Sequence, residues 1–394
     1  MDLVSLLKLN NPFGDDKRHA ACAIFGMMNV SGELMPGEQV FAAMNNMHER
    51  GNGLGAGFAV YGLYPHMRDY YALHVMFTDV RGKTAAEELL RKSFVLEGSE
   101  PIPTRKTPGI SAEPLLWRYF LAPLDTSLGE DGEQDLLMDM VLRLNTEVPD
   151  TFVFSCGKNM GVFKGVGYPD QIAHFYRLED YSGYIWTAHS RFPTNSHAWW
   201  GGAHPFCLVD WSVVHNGEIS SYGTNRAFLE TLGYRCTLFT DTEVMAYAVD
   251  LLMRRQKMTP ELFAKVVAPP FWEEIDAMAE PERTLHTALR VTYAGLLMNG
   301  PFAVVIANGE QMIALTDRIR LRPLTVAVRG DIFYVSSEEA AIRFVCPGVD
   351  AVWTPKGGVP VVGRLGLIPK PEHASDNVGV CVTACGGYRD AAQS

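Results

Sequence analysis

Tyr184-Ile185-Trp186-Thr187-Ala188-His189-Ser190-Arg191 reads as a strand that delivers an arginine at its end. Val213-Val214-His215-Asn216-Gly217-Glu218 reads as a second strand that runs into a turn-forming pair. β-branched and aromatic residues suit a pleated, half-buried surface, and Asn-Gly combines two strong turn formers. Further strands are expected at 151–156 and 160–165, and two helices follow at 224–232 and 241–255. Upstream, 22–28 is a short apolar strand. Residues 36–49 have helical spacing with Val40, Met44 and Met47 on one face, and 55–62 and 70–77 alternate like strands. Downstream, 281–298 is expected to be helical, with strands at 302–307, 312–315, 324–328 and 332–335. Strands come in runs and helices in pairs, so the pattern is not the alternation of a parallel α/β sheet. It predicts an α+β fold: a four-layer α-β-β-α sandwich of two stacked, mainly antiparallel sheets. Between the early strands and Thr151, Thr84 and Glu87 form a capping-box pattern opening a helix. Residues 101–132, rich in Pro, Gly and acids, read as an irregular insertion outside the paired sheets, and 136–144 as helical.

The 394 residues are 47% apolar and 20% charged, which bounds the chain to one large domain or two with a sizeable core. Thirty-four basic against forty-five acidic residues leave −11. That balance argues against nucleic acid or an anionic membrane as the main partner. No apolar run approaches the roughly 18 residues of a membrane span. The first 21 residues have too short an apolar stretch for a secretory signal, and Asp15, Asp16, Lys17 and Arg18 follow it. The seven cysteines are Cys22, Cys156, Cys207, Cys236, Cys346, Cys381 and Cys385. An odd number, spread along a long chain, reads as reduced thiols in a cytoplasm. Cys381 and Cys385 have a spacing uncommon for redox or metal work and are taken as two thiols near the C-terminus.

Chemistry concentrates between Thr187 and Glu218. His189, His197, His204 and His215 invite a metal reading, but their spacings match no helical His-x3-His pair and no zinc pattern, so no metal is expected. Alone, Arg191 would be a surface ion-pair residue and Asn216-Gly217 a turn. Asp241 would be part of a helix-capping box made by Thr240 and Glu243. Their recurrence at strand ends and a helix start about 25 residues apart changes that reading. Gly51-Asn52-Gly53-Leu54-Gly55-Ala56 formally fits a dinucleotide fingerprint, yet a helix precedes it and a strand follows, the reverse of what that site needs. It reads instead as close backbone packing or a tight loop near the active site.

Cys22 alone would be a buried strand cysteine. It lies, however, in Ala20-Ala21-Cys22-Ala23-Ile24-Phe25-Gly26, and His48-Glu49-Arg50-Gly51 follows. The chain then continues through Met160-Gly161-Val162-Phe163-Lys164-Gly165 and the His-Ser-Arg-Phe-Pro-Thr-Asn, Ala-His-Pro-Phe and His-Asn-Gly-Glu blocks to Leu321-Arg322-Pro323. Together these resemble the class II glutamine amidotransferases, the N-terminal-nucleophile (Ntn) glutaminases. The nearest likeness within them is the glutaminase part of glutamate synthase, especially the archaeal type in which it is a separate subunit. Ala23 departs from the family, which usually has Gly after the nucleophile. The resemblance implies an Ntn-hydrolase fold over 22–345 with an insertion around 66–180, a C-terminal extension over 346–394, and residues 1–21 as a propeptide or extension. It implies Cys22 as nucleophile, with its own α-amino group as base. It further implies Asn216 and Gly217 as the oxyanion hole, and Arg191 and Asp241 as clamps on the α-carboxylate and α-ammonium of L-glutamine. The resemblance also implies that Thr194 and the 199–202 loop line or close the pocket.

The same resemblance implies that ammonia passes to a synthase subunit making glutamate from 2-oxoglutarate. No cofactor sits on this chain in that reading; FMN, an iron–sulfur cluster and NAD(P)H are expected on partner subunits. Two other readings stand beside it: a glutaminase serving a different acceptor, and a catalytically silent subunit that binds an amino acid or scaffolds partners.

Overall fold

The computed structural model of the protein describes residues 22–191 and 198–371. Strand β1 (Ala23–Asn29) leads into helix α1 (Glu38–Asn46), then β2 (Ala56–Tyr61) and β3 (Tyr71–Phe77). Helix α2 (Val80–Leu90), β4 (Phe94–Pro101), β5 (Leu115–Pro123) and α3 (Glu130–Glu147) follow. Next come β6 (Thr151–Lys158), β7 (Met160–Gly165), α4 (Pro169–Phe175) and β8 (Ile185–Ser190). A hairpin of β9 (Phe206–Leu208) and β10 (Trp211–Gly217) precedes helices α5 (Tyr222–Thr231), α6 (Asp241–Val249), α7 (Pro260–Val267) and α8 (Glu282–Thr292). The chain closes with β11 (Phe302–Ala307), β12 (Gln311–Thr316), β13 (Thr325–Arg329), β14 (Ile332–Ser336), α9 (Glu339–Val345), β15 (Ala351–Trp353) and β16 (Val361–Arg364).

These strands build two stacked sheets, ordered β15-β13-β14-β1-β8-β2-β7 and β9-β10-β11-β12-β16, antiparallel throughout. Strand alternation explains the stacking. In β11, Ala303, Val305 and Ala307 pack in the core shared with β1, whereas Phe302, Val304 and Ile306 pack with Val244 and Ala248 of α6. Small residues let the sheets approach: a Cβ at Gly26 would lie 2.8 Å from Met312 Sδ and 3.3 Å from Val305 Cγ1. The Tyr61 hydroxyl spans the interface, 2.8 Å from Ser212 Oγ and 2.7 Å from the Ala307 carbonyl. Helices α1, α4 and α9 cover the outer face of the seven-stranded sheet, and α6 and α7 that of the five-stranded one. This is the expected α-β-β-α sandwich, an α+β fold of mainly antiparallel sheets.

Four local expectations need correction. Residues 101–132 do lie outside the two stacked sheets, but they are not irregular: they contain β5, which sits inside a third antiparallel sheet ordered β4-β5-β3-β6. Its Tyr119 and Leu121 are fully buried with Leu137 and Val141 of α3. Helix α2 starts at Val80, not Thr84, because the Asp79 side chain accepts from Arg81 N–H and caps it. Thr240 and Glu243 form no capping box. The Glu243 carboxylate instead accepts from the backbone N–H groups of Thr237 and Leu238, at 3.0 and 2.9 Å. Finally, the sandwich does not end at 345, since β15 and β16 supply an outer edge strand to each stacked sheet. The expected propeptide, Thr194, His197, Cys381 and Cys385 lie outside the described residues. Among the described residues no helix is long and apolar enough to cross a membrane.

Candidate active site

Antiparallel register brings the sequence-predicted residues together. Ala23 pairs with Ser190, so Cys22 and Arg191 sit one step beyond the same end of the β1–β8 ladder. Arg191 N–H donates to the Gly55 carbonyl (2.8 Å), which extends the pairing of β8 with β2. Gly55 must be small there: its φ is +153° and a Cβ would lie 3.2 Å from Arg191 Cδ. The glycine-rich 51–56 segment thus packs against Arg191, as its context suggested. Arg191 is almost fully buried. Burial lowers the pKa of its guanidinium from the ordinary value, while negative charge at Cys22 and at Asp241 opposes that shift. One cation therefore lies within electrostatic reach of both.

Asn216 enters from the other sheet. It shares with Val214 the face of β10 that points across the sandwich, and it is fully buried. Its Nδ2 donates to Ser337 Oγ (3.2 Å), and Ser337 Oγ accepts from Ile24 N–H (3.1 Å). Ser337 N–H returns a bond to the Ile24 carbonyl (3.0 Å). Ser337 therefore ties the start of β1, two residues from Cys22, to Asn216. Asn216 Oδ1 is buried without a partner among the described residues. Reversing the amide lets the Ser337 hydroxyl donate to Oδ1 and turns the NH2 to the opposite side, where Oδ1 now points. Gly217 follows at φ +135°, and a Cβ on it would lie 1.9 Å from the Pro301 carbonyl oxygen, so no other residue fits. The backbone N–H at such a turn can face the site.

Asp241 opens α6, where a negative charge is favoured by the helix dipole. Its Oδ2 accepts from Ile219 N–H (2.9 Å), and its Oδ1 lies 3.7 Å from His215 Nδ1. Burial pushes the carboxyl up, but His215 and the N–H groups of Ile219 and Thr242 outweigh it and hold the pKa at about 2. Asp241 is an anion at neutral pH.

Sequence reasoning missed the support beneath these groups. Arg50 Nε donates to the Cys22 carbonyl (3.2 Å) and its Nη1 pairs with Glu338 (2.6 Å), so it fixes the residue's backbone. The His48-Glu49-Arg50-Gly51 motif pointed there without giving a role. Lys164, on β7, is buried between the sheets, its Nζ donating to the Gly201 and Pro205 carbonyls at 2.9 and 3.2 Å. Those carbonyls belong to the segment whose Gly202 abuts Arg191; a Cβ there would lie 3.2 Å from Arg191 Nη1. Burial drives the Lys164 ammonium down to about 7. His189, His204 and His215 form a buried stack, with ring centroids 3.9 Å apart for the first two and 6.4 Å for the second two. No cluster of three or more His, Cys, Asp or Glu able to hold a metal occurs among the described residues.

The arrangement offers a thiol, a guanidinium fork, a fixed carboxylate, and an amide beside a glycine turn. Comparison with known proteins bears on what that set does. A 53%-identical uncharacterized protein of Archaeoglobus fulgidus matches over 356 residues, 89% of this chain and 94% of that protein. A putative glutamine amidotransferase of Methanothermobacter thermautotrophicus is 24% identical, over 82% of this chain and 93% of its own. The glutamate synthase [NADPH] large chain of Bacillus subtilis is 27% identical over 50% of this chain and 14% of its own. Among solved structures, the glutamine phosphoribosylpyrophosphate amidotransferase from B. subtilis covers 87% of this chain and 47% of its own, at 15% identity and a TM-score of 0.44. The family model for class II glutamine amidotransferases matches residues 137–347. That span contains Arg191, Asn216, Gly217 and Asp241 and begins downstream of Cys22. It is more than half of the chain, and on that match the protein belongs to the class II glutamine amidotransferases.

Proposed function

We propose that this chain is the glutaminase component of a synthase, hydrolysing L-glutamine to glutamate and ammonia with Cys22 as nucleophile. The observation that carries the reading is the convergence at one end of the sandwich. Cys22 and Arg191 end the same ladder, Ser337 joins the start of β1 to Asn216, and Arg191 senses the charge of both Cys22 and Asp241.

Removal of residues 1–21 gives Cys22 a free α-amino group, which titrates near 7.7–8.0 and takes the thiol proton at neutral pH. The thiolate attacks the side-chain amide carbon of glutamine. The resulting oxyanion is held by the Asn216 NH2 and the Gly217 N–H, donors placed before charge develops. Collapse breaks the C–N bond, the α-ammonium returns a proton to the leaving nitrogen, and ammonia departs. Water then hydrolyses the cysteinyl thioester to glutamate. The Arg191 fork pairs with the α-carboxylate and Asp241 with the α-ammonium. Thr194, outside the described residues, belongs with the pocket in this reading.

Ammonia released into neutral water is protonated and loses its nucleophilic lone pair, and this reading sends it instead to a partner subunit in the cytoplasm. The partner uses 2-oxoglutarate as acceptor and carries FMN, an iron–sulfur cluster and NAD(P)H. The likeness to a glutamate synthase large chain supports this choice. Relatives named glutamine–fructose-6-phosphate aminotransferase make a sugar phosphate the second reading for the acceptor. One experiment addresses both the nucleophile and its processing: intact-mass analysis of protein co-produced with its partner, beside a glutaminase assay of Cys22→Ala. The expected mass starts at Cys22, and the variant loses glutamine-dependent synthesis but keeps ammonia-dependent synthesis. Normal glutamine turnover by Cys22→Ala refutes the assignment.

A further inference from the structure

Thr242 is fully buried one residue beyond Asp241, and three polar groups converge on its hydroxyl. His204 Nε2 lies 3.2 Å from Thr242 Oγ1, His215 Nδ1 lies 3.1 Å away, and Asp241 Oδ1 lies 3.3 Å away. A hydroxyl has one proton to give and two lone pairs to receive. The proton positions follow from the neighbours. His204 Nδ1 accepts from His215 N–H (3.5 Å), and burial, together with His189 and the nearby cations, holds the ring neutral. The single proton of His204 is therefore on Nε2 and donates to Thr242. His215 Nε2 is buried with no partner among the described residues, whereas Nδ1 faces Thr242 and Asp241, so Nδ1 is the ring nitrogen whose N–H finds acceptors. Both lone pairs of the hydroxyl are then filled, and its own proton has one place left to go: Asp241 Oδ1. Because Ile219 N–H holds Oδ2 (2.9 Å), both carboxylate oxygens are pinned and the rotamer is fixed.

We propose that Thr242 is a positioning residue for ammonium recognition. Relaying the hydrogen bonds of His204 and His215 onto Asp241 Oδ1, it aims the carboxylate at the substrate and sets the preference for glutamine over amides lacking an α-amino group. The inference rests on the reading that Asp241 takes the α-ammonium. Thr242 itself does not touch substrate; it acts through Asp241.

The test uses the processed protein with its partner present, and two substrates: L-glutamine and glutaramate, which keeps the amide and carboxylate but has hydrogen in place of the α-ammonium. Thr242→Val keeps the shape and removes the hydroxyl, Thr242→Ser restores it, and Thr242→Ala is a second deletion should valine impair folding, as judged by melting curves. Loss of one bond to a charged group is expected to raise the KM for glutamine roughly tenfold, with kcat falling by less. The constant for glutaramate, as substrate or competitive inhibitor, should stay within about twofold, and serine should recover glutamine binding. Equal weakening of both substrates, or an unchanged glutamine KM in the valine and alanine variants, overturns the proposal. Asp241→Asn separates the two levels. If it weakens glutamine selectively while the Thr242 variants do not, only the relay is wrong. If it too has no effect, the ammonium assignment falls and the relay with it.

Discussion

Replacing Lys164 with methionine isolates an electrostatic cost held between the two sheets. Among the described residues the ammonium hydrogen-bonds only to carbonyls, those of Gly201 and Pro205, and it lies 4.5 Å from the Phe206 ring centroid and 5.5 Å from that of Phe152. Burial lowers its pKa from 10.5 to about 7. Between those values the unfolded chain binds a proton that the folded chain does not, so stability rises with pH across the window and the penalty is complete below pH 7. The slope approaches ~1.4 kcal/mol per pH unit, or ~2.5 kcal/mol between about pH 7.5 and 9.5. Methionine cannot titrate but leaves two carbonyls short of a donor, at ~1–3 kcal/mol each, so the absolute stability of Lys164→Met can move either way. The diagnostic quantity is the difference between wild type and variant. Urea unfolding followed by circular dichroism at several pH values should show wild type gaining on Lys164→Met by that amount. Parallel curves would mean that the ammonium stays charged in the folded protein, and the burial argument would be wrong.

Arg191→Lys keeps the charge and loses the fork, so steady-state kinetics should show the glutamine KM rising by about tenfold or more while melting temperature holds. An unchanged KM would make Arg191 structural. Asn216→Ala should depress kcat by ~10²–10³ with little change in KM, because its donor matters once the oxyanion forms. Gly217→Ala should cost both activity and stability, since the methyl meets the Pro301 carbonyl; thermal melts and a glutaminase assay read the two effects separately.

Strand ends carrying His-Ser-Arg and His-Asn-Gly-Glu were legible because alternation identifies the strand and the motif marks its last residues. The sandwich followed from them. The third sheet was not legible, because Leu115-Leu116-Trp117-Arg118-Tyr119-Phe120-Leu121 is flanked by Pro103, Pro108, Gly109 and Pro114 on one side and by Pro123, Gly129 and Gly132 on the other. A reading of the whole window as Pro- and Gly-rich masked a strand within it. Ser337 was invisible for a different reason. Its bond to Ile24 spans 313 positions, and nothing local distinguishes that serine. Lys164 interrupts an otherwise apolar inner face, yet a lone lysine in a strand reads as solvent-facing until the opposite sheet is in place. Thr240 and Glu243 looked like a helix-capping box, but Thr240 makes no side-chain cap and Glu243 binds the Thr237 and Leu238 N–H groups, while nothing local marked Thr242.

The strand β9 ends the five-stranded sheet, and a sheet edge presents unpaired backbone groups that can template pairing with another chain, a hazard that its length of three residues limits and that a covering element removes. Here β6 of the third sheet lies against it. Asp210 N–H donates to the Cys156 carbonyl (3.0 Å), Lys158 N–H donates to Asp210 Oδ1 (2.6 Å), and Cys207 Sγ–H reaches the same Cys156 carbonyl (3.4 Å). The inserted sheet therefore serves as a stopper on an aggregation-prone border. Trimming 101–132 to a short bridge would remove β5 from the middle of that stopper and leave β3 and β4 without their shared partner. The expected outcome is loss of colloidal stability, with the β1–β8 ladder that ends at Cys22 and Arg191 left in place.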